Sequence, residues 1–370
     1  MPARRGRRRA AYRLWLQGAA VLVFLSMPAA GQDAATQIKT EIDRIQQSVK
    51  GGIVNPPGFP DVTSMVGGQL KAASAALRAG RLYLSLEHLA PVFDVLHGLR
   101  TVSEKTEAAK SQPAFESEWG KTSVELTALE KKTRARNWDN SQAAIRALAE
   151  TAQGKAIPLL DGGRGFATAI APQAGLFYLG QAQGEAEFAQ FCEDLNLPRK
   201  TAPLALRSML PVLASLQEKT NAAFQPPRSV DLHPKFIVLN SALKLGEELD
   251  AEKFYAGALY QYLDAVEQYG LLDAPTAAQQ SELQPAIAAA RKELEATGRD
   301  DSIALLFLER AESQIAHADG SAPSQDDWRS AKVIVDQVLP AYFAALEAPA
   351  PLERTAARRV EITLVRWPHT

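Results

Sequence analysis

The chain has 370 residues, with 41 Lys and Arg against 42 Asp and Glu, and a single Cys. Hydrophobic residues at 46% and charged residues at 22% are globular proportions, which exclude a disordered or collagen-like chain. One cysteine excludes a disulfide framework, and the near-neutral total offers no basic surface for nucleic acid.

Arg4, Arg5, Arg7, Arg8 and Arg9 precede an apolar run from Leu14 to Leu25, and Met27-Pro28-Ala29-Ala30-Gly31 follows. A basic start, a short apolar centre and a small-residue end are the layout of a secretory signal peptide, so residues 1–31 read as a leader cut after Gly31. A membrane span needs about 20 apolar residues, and Arg13 and Gln17 interrupt this run. An uncleaved leader would make the chain a membrane-anchored periplasmic protein, and that alternative stays open. The only cysteine, Cys192, is far from the processing site, so no lipid anchor is expected. Arg8-Arg9 is followed by Ala10-Ala11 where a twin-arginine signal wants a bulky apolar pair, which leaves the export route open. Without the six leader arginines, 35 basic residues face 42 acidic ones, a net charge of −7. The expected address is the periplasm or the medium, with neither nucleic acid nor stable membrane insertion after leader cleavage.

Behind the leader nearly every segment has the helical period. Ile38, Ile42, Ile45 and Val49 form a stripe on a first helix that stops at Gly51-Gly52, and a Pro-rich connector runs from Ile53 to Asp61. Two helices follow, about Ser64 to Ala79 and Arg81 to His97, divided by Gly80 and stopped by Gly98. Leu82, Leu86, Leu89, Phe93 and Leu96 are the buried face of the second. Further helices are expected over 113–136, 140–153, 172–179, 185–195 and 203–220, then over 234–249, 252–269, 276–297, 302–318 and 325–347. Gly154, Gly270, Gly298 and Gly320 sit at expected helix ends, and Thr201, Asp250, Asp301 and Ser324 at expected starts. Ser324 with Asp327 has capping-box spacing. Pro91, Pro158, Pro211, Pro285 and Pro340 each mark a kink or a fresh helix start.

The expected fold is all-α, built from antiparallel helical hairpins, bundle-like or repeat-like and loosely tetratricopeptide-like. Ala72 to Tyr83 and Leu86 carry the small-residue and Gly-Tyr flavour of such hairpins, but no strict period of about 34 residues survives and no family is assigned. The expected segments are 1–31 as leader, 32–62 as first helix and connector, 63–200 and 201–348 as two helical units, and 349–370 as linker and strand. In that tail, Val360 to Trp367 alternates β-branched and polar residues, which reads as a short C-terminal β-strand. Its internal pairing candidate is Gly165 to Ile170, after a turn at Gly162-Gly163. The other candidate is strand addition to another protein.

Gly120-Lys121-Thr122 resembles the end of a phosphate loop, but Phe115 stands where that loop needs Gly, so a helical turn is expected. Cys192 lies in an apolar helical stretch and reads as a buried, inert thiol. The most metal-like residues are Glu87, Asp94 and His97 on one helix and Glu309, Glu312 and His317 on another, but the group reads as ordinary surface charge with a capping His near Gly98. Glu247, Glu248, Asp250 and Glu252 read as a solvated, capping acidic run. Tyr255, Leu259, Tyr262, Val266 and Tyr269 form a seam along one helix, flanked by Phe254 and Tyr260. Its bodies suit a core, and Tyr255, Tyr262 and Tyr269 are the candidate binding residues if the seam is a peptide or sugar groove. No catalytic motif and no metal or cofactor signature is legible, so no cofactor is expected. The resulting expectation is an exported, non-catalytic helical binding or scaffold protein of the cell envelope with a protein or peptide partner. A metal-dependent enzyme with a site assembled from distant helices is the alternative.

Overall fold

A computed structural model describes residues 33–51, 62–226, 230–272, 280–317 and 321–347. The leader, the Pro-rich connector, Gly320 and the C-terminal strand candidate lie outside the described residues. Among the described residues every regular element is helical, and backbone pairing between segments is limited to the isolated bridges Ser141–Pro198 and Ala202–Arg299. None of these helices is long and apolar enough to cross a membrane.

Helix α1 (Ala34–Lys50) begins where the Asp33 carboxylate accepts from the Thr36 amide at 2.8 Å, and it buries Ile38, Ile42 and Ile45. Helix α2 (Thr63–Arg78) ends at Gly80, whose φ of 75° only glycine adopts without strain, and α3 (Leu82–Glu104) follows at once. On α3 the fully buried Leu86, Leu89 and Phe93 each contribute about 1.5–3 kcal/mol by leaving water. Then come α4 (Gln112–Ala135), α5 (Ala143–Ala169), α6 (Pro172–Asp194) and α7 (Leu210–Ala223). The described residues continue with α8 (His233–Ala251), α9 (Tyr255–Gly270), α10 (Gln280–Ala296), α11 (Ser302–Ile315), α12 (Gln325–Val333) and α13 (Leu339–Glu347). A π-helical turn over Ile334–Val338 joins the last two, just before Pro340 removes a backbone donor.

Helix α6 is the centre of the packing, flanked by α3 and α5. It runs antiparallel to both: Gly163 of α5 faces Gly175 and Lys155 faces Glu185, while Gly98 of α3 faces Gly180 and Asp94 faces Gly184. Helices α8 and α9 pack on one another, and α9 lies on α5. One buried cluster extends from Ile38 to Ala345, and a smaller one fills the space between α4 and the adjoining parts of α3, α5 and α6.

Gly98, Gly154 and Gly163 do not end helices but lie inside α3 and α5, each where a side chain would meet Phe177, Leu249 or the Gly175 carbonyl. The expected turn at Gly162-Gly163 and strand at Gly165 to Ile170 are therefore the last turns of α5, which end at Ala169. The separate helices over 172–179 and 185–195 are one, because Gly180 and Gly184 serve close approach to α3 rather than a break. No helix starts at Thr201; α7 begins at Leu210, and residues 203–209 are extended or irregular.

Helix starts are capped from far along the chain. Glu309 accepts from the Leu84 amide at 2.9 Å, Glu150 from the Gly257 amide at 2.9 Å, and Asp300 from the Ala143 amide at 2.6 Å. Asp250, expected to cap its own following helix, instead accepts from Ser208 Oγ at 2.8 Å and from the Met209 amide at the start of α7. Asp301 holds Arg299, Thr297 and Tyr342 and makes no cap bond to α11. Ser324 and Asp327 do form a reciprocal capping box.

Candidate functional site

Where α3, α5, α6, α8 and α9 meet, they line a cavity of about 330 Å³ that opens to solvent. Its polar wall comes from Glu87 on α3, Thr151 and Lys155 on α5, Glu185 on α6, and Tyr260 and Asp264 on α9. Leu148, Phe188, Val238, Ala242 and Leu245 supply apolar surface. The site exists because small residues let the helices close: Gly184 presses α6 onto the Asp94 backbone, and Gly257 brings α9 against Glu150 and Thr151. Pro91 also lines the cavity and cannot donate to the Glu87 carbonyl one turn back.

Behind the wall stands Arg310 of α11. Its Nε donates to Glu87 Oε1 and Oε2 at 3.0 and 2.8 Å, its Nη1 to Asp264 Oδ1 at 3.0 Å and Glu267 Oε2 at 2.8 Å, and its Nη2 to the Tyr260 hydroxyl at 2.8 Å. The Tyr260 hydroxyl in turn donates to Glu87, and the guanidinium lies 4.5 Å from the Phe307 ring centre. Burial pushes the Glu87 pKa up, but Arg310 and Tyr260 outweigh it and hold the carboxyl below its ordinary value. Glu267 ends above its ordinary value, since burial and nearby Asp264 exceed the relief from Arg310. One guanidinium thus ties three helices together through three carboxylates.

The second cluster is Lys155, Glu185 and Asp94. Lys155 Nζ lies 3.3 Å from Glu185 Oε1; protein surrounds the lysine, yet 39% of its side chain stays open because it faces the cavity. Asp94 Oδ1 and Glu185 Oε2 are buried and have no donor as carboxylates. A proton held by the pair would let one carboxyl donate to the other and relieve both atoms. Burial, then the negative charge of Glu185, pushes Asp94 up to about 9, and burial raises Glu185 as well, so the pair keeps a proton at neutral pH. Glu185 attracts Lys155 strongly enough to raise the lysine's pKa despite burial.

This proton has a measurable consequence. The unfolded chain releases it near its ordinary carboxyl value of 3.8, whereas the native state keeps it to about 9, so folding stability falls as pH rises across that window. Glu309, raised to about 8 chiefly by burial, acts in the same sense. Asp94→Asn keeps the donor and removes the titration. Its melting temperature is expected to fall less between about pH 5 and about pH 8.5 than that of the wild type, with the residual slope due to Glu309 and the other raised carboxyls, Glu150, Glu185 and Glu267. Equal slopes in a pH series of thermal melts would show that Asp94 holds no such proton.

Thr151 is 4% exposed, lines the cavity, and its Oγ1 has no hydrogen-bond partner in the protein. A buried hydroxyl left unpaired is unfavourable, and a bound molecule or water in the cavity relieves it.

The three tyrosines of the sequence seam lie elsewhere. Tyr255, Tyr262 and Tyr269 are half-buried, Tyr262 and Tyr269 packing at the edge of the main core, and none lines this cavity. Tyr260, read only as a flank of the seam, faces it. The metal-like residues are dispersed: Glu87 goes to Arg310, Asp94 to Glu185, and His97 to Glu187 at 2.7 Å. On α11, Glu309 caps α3 and Glu312 pairs with Arg291 at 2.8 Å. Among the described residues no three His, Cys, Asp or Glu side chains are placed to hold a metal ion. Cys192 is 1% exposed and its thiol is pushed well up by burial. Arg310 had a legible signal that sequence reasoning passed over: a lone cation among Ile303, Ala304, Leu306, Phe307, Leu308 and Ala311 must be paired if that helix is buried.

No known protein family matches the chain, and no curated protein or solved structure is significantly similar to it.

Proposed function

We propose that this chain is an exported, non-catalytic binding protein of the cell envelope whose site is the cavity among α3, α5, α6, α8 and α9. The observation that carries the reading is the cavity itself: about 330 Å³, within the size range of small-molecule sites, with charged groups on an amphipathic wall and an unpartnered hydroxyl at Thr151. The basic, apolar and small-residue order of residues 1–31 supports the location. A protein or peptide partner is the second reading, favoured by Leu210, Phe224, Ile237 and Val238, which expose apolar surface on or beside α7 and α8. That surface, loosely tetratricopeptide-like in its helical pairs, would be the groove.

The test is a thermal-shift screen of small polar metabolites against the purified protein and its Ser241→Trp variant. Ser241 is exposed at the cavity rim, so Trp plugs the opening without repacking the core. At least one chemical class is expected to raise the wild-type melting temperature by several degrees and leave the variant unmoved. Equal responses from both proteins would reject the cavity as the site.

A further inference from the structure

The class of ligand follows from the charge around the cavity, given that the cavity is the binding site. Glu87, Asp264 and Glu267 share the single guanidinium of Arg310, and Glu185 takes Lys155. Of these carboxylates Glu87, Asp264 and Glu185 line the cavity, against Lys155 in its wall and Arg310 behind it, an excess of one negative charge. Uncompensated negative charge is unfavourable where water is scarce, and a bound cation removes it. An anion would gain little, because both cations are already engaged by carboxylates.

The remaining atoms fit the same chemistry. Asp264 gives Oδ1 to Arg310, and 24% of its side chain stays open on the cavity side of the network. The Thr151 hydroxyl, unpartnered and 4% exposed, is an acceptor for an N–H donor. Leu148, Ala242 and Leu245 offer apolar surface suited to a methylene chain and to nothing charged. We propose that the cavity takes a short aliphatic amine, its ammonium group meeting the unmatched carboxylate and its methylenes the apolar wall.

The test uses calorimetry and thermal shift on the purified protein with putrescine, cadaverine, butylamine, butan-1-ol and succinate. The diamines and butylamine are expected to bind, and the alcohol and the dianion not at all. Asp264→Asn is expected to weaken putrescine about tenfold, and Thr151→Val several-fold, the latter change keeping shape and leaving the Arg310 network intact. Ser241→Trp is expected to abolish binding. Putrescine binding that survives Ser241→Trp, or that Thr151→Val leaves unchanged, would overturn the assignment. If no amine binds while succinate or a neutral metabolite stabilises the wild type and not Ser241→Trp, the amine class fails and the cavity stands as a site. If nothing distinguishes the two proteins, the binding reading fails with it.

Discussion

Replacing Arg310 by Met is expected to destabilise the protein by about 3–5 kcal/mol, because breaking a buried ion network from one side strands the opposite charges. Glu87, Asp264 and Glu267 would then face one another without a cation, and Tyr260 would lose its donor from Nη2. The melting temperature should drop by roughly 4–7 °C for a chain of this size. Two features separate this from ordinary loss of packing. The stranded carboxyls take up protons, so the variant should recover stability as pH falls toward about 5. Arg310→Met with Glu87→Gln should also be more stable than Arg310→Met alone, since one stranded charge is gone. A loss below about 1 kcal/mol, the value of a solvated ion pair, would mean that the network is not buried as described.

The second large effect is expected at Gly180. A β-carbon there would sit 2.4 Å from the His97 carbonyl oxygen and 2.7 Å from the Gly98 α-carbon, so the obstacle is backbone and cannot rotate away. Gly180→Ala must push α6 from α3, at about 3 kcal/mol in urea denaturation. It should also open the Asp94–Glu185 contact, which depends on the same approach one turn away at Gly184. The control is Gly120→Ala in α4, where nothing lies within 4 Å of the added carbon. That change should stabilise by about 0.5–1 kcal/mol through helix propensity. Similar responses at both positions would refute the tight α3–α6 contact.

These two residues show what one-dimensional reading can and cannot reach. The stripe of Ile38, Ile42 and Ile45 and the face of Leu86, Leu89 and Phe93 were legible because burial repeats with the helical turn. The Ser324–Asp327 box was legible because all its atoms lie within one turn. Glycine carries two meanings, stop and close approach, and only the partner decides between them. For Gly98 that partner is Phe177, on another helix, and for Gly154 it is Leu249. The caps supplied by Glu309, Glu150, Asp250 and Asp300 come from distant segments and leave no local pattern. The cavity is hidden for the same reason: Glu87, Thr151, Glu185 and Asp264 are ordinary residues on separate helices until packing gathers them. Each of those helices, however, carries a charged residue within a mostly buried stripe, and that conflict with burial is the trace a closer reading could follow.

The most direct test is a high-resolution crystallographic map of the cavity from crystals soaked in putrescine. The expected density is a small molecule or ordered water bonded to Thr151 Oγ1, beside a Lys155 still paired with Glu185 and an Arg310 still shared by three carboxylates. A space closed by Phe188 and Leu245, with the Thr151 hydroxyl turned to the Ala147 carbonyl, would contradict it.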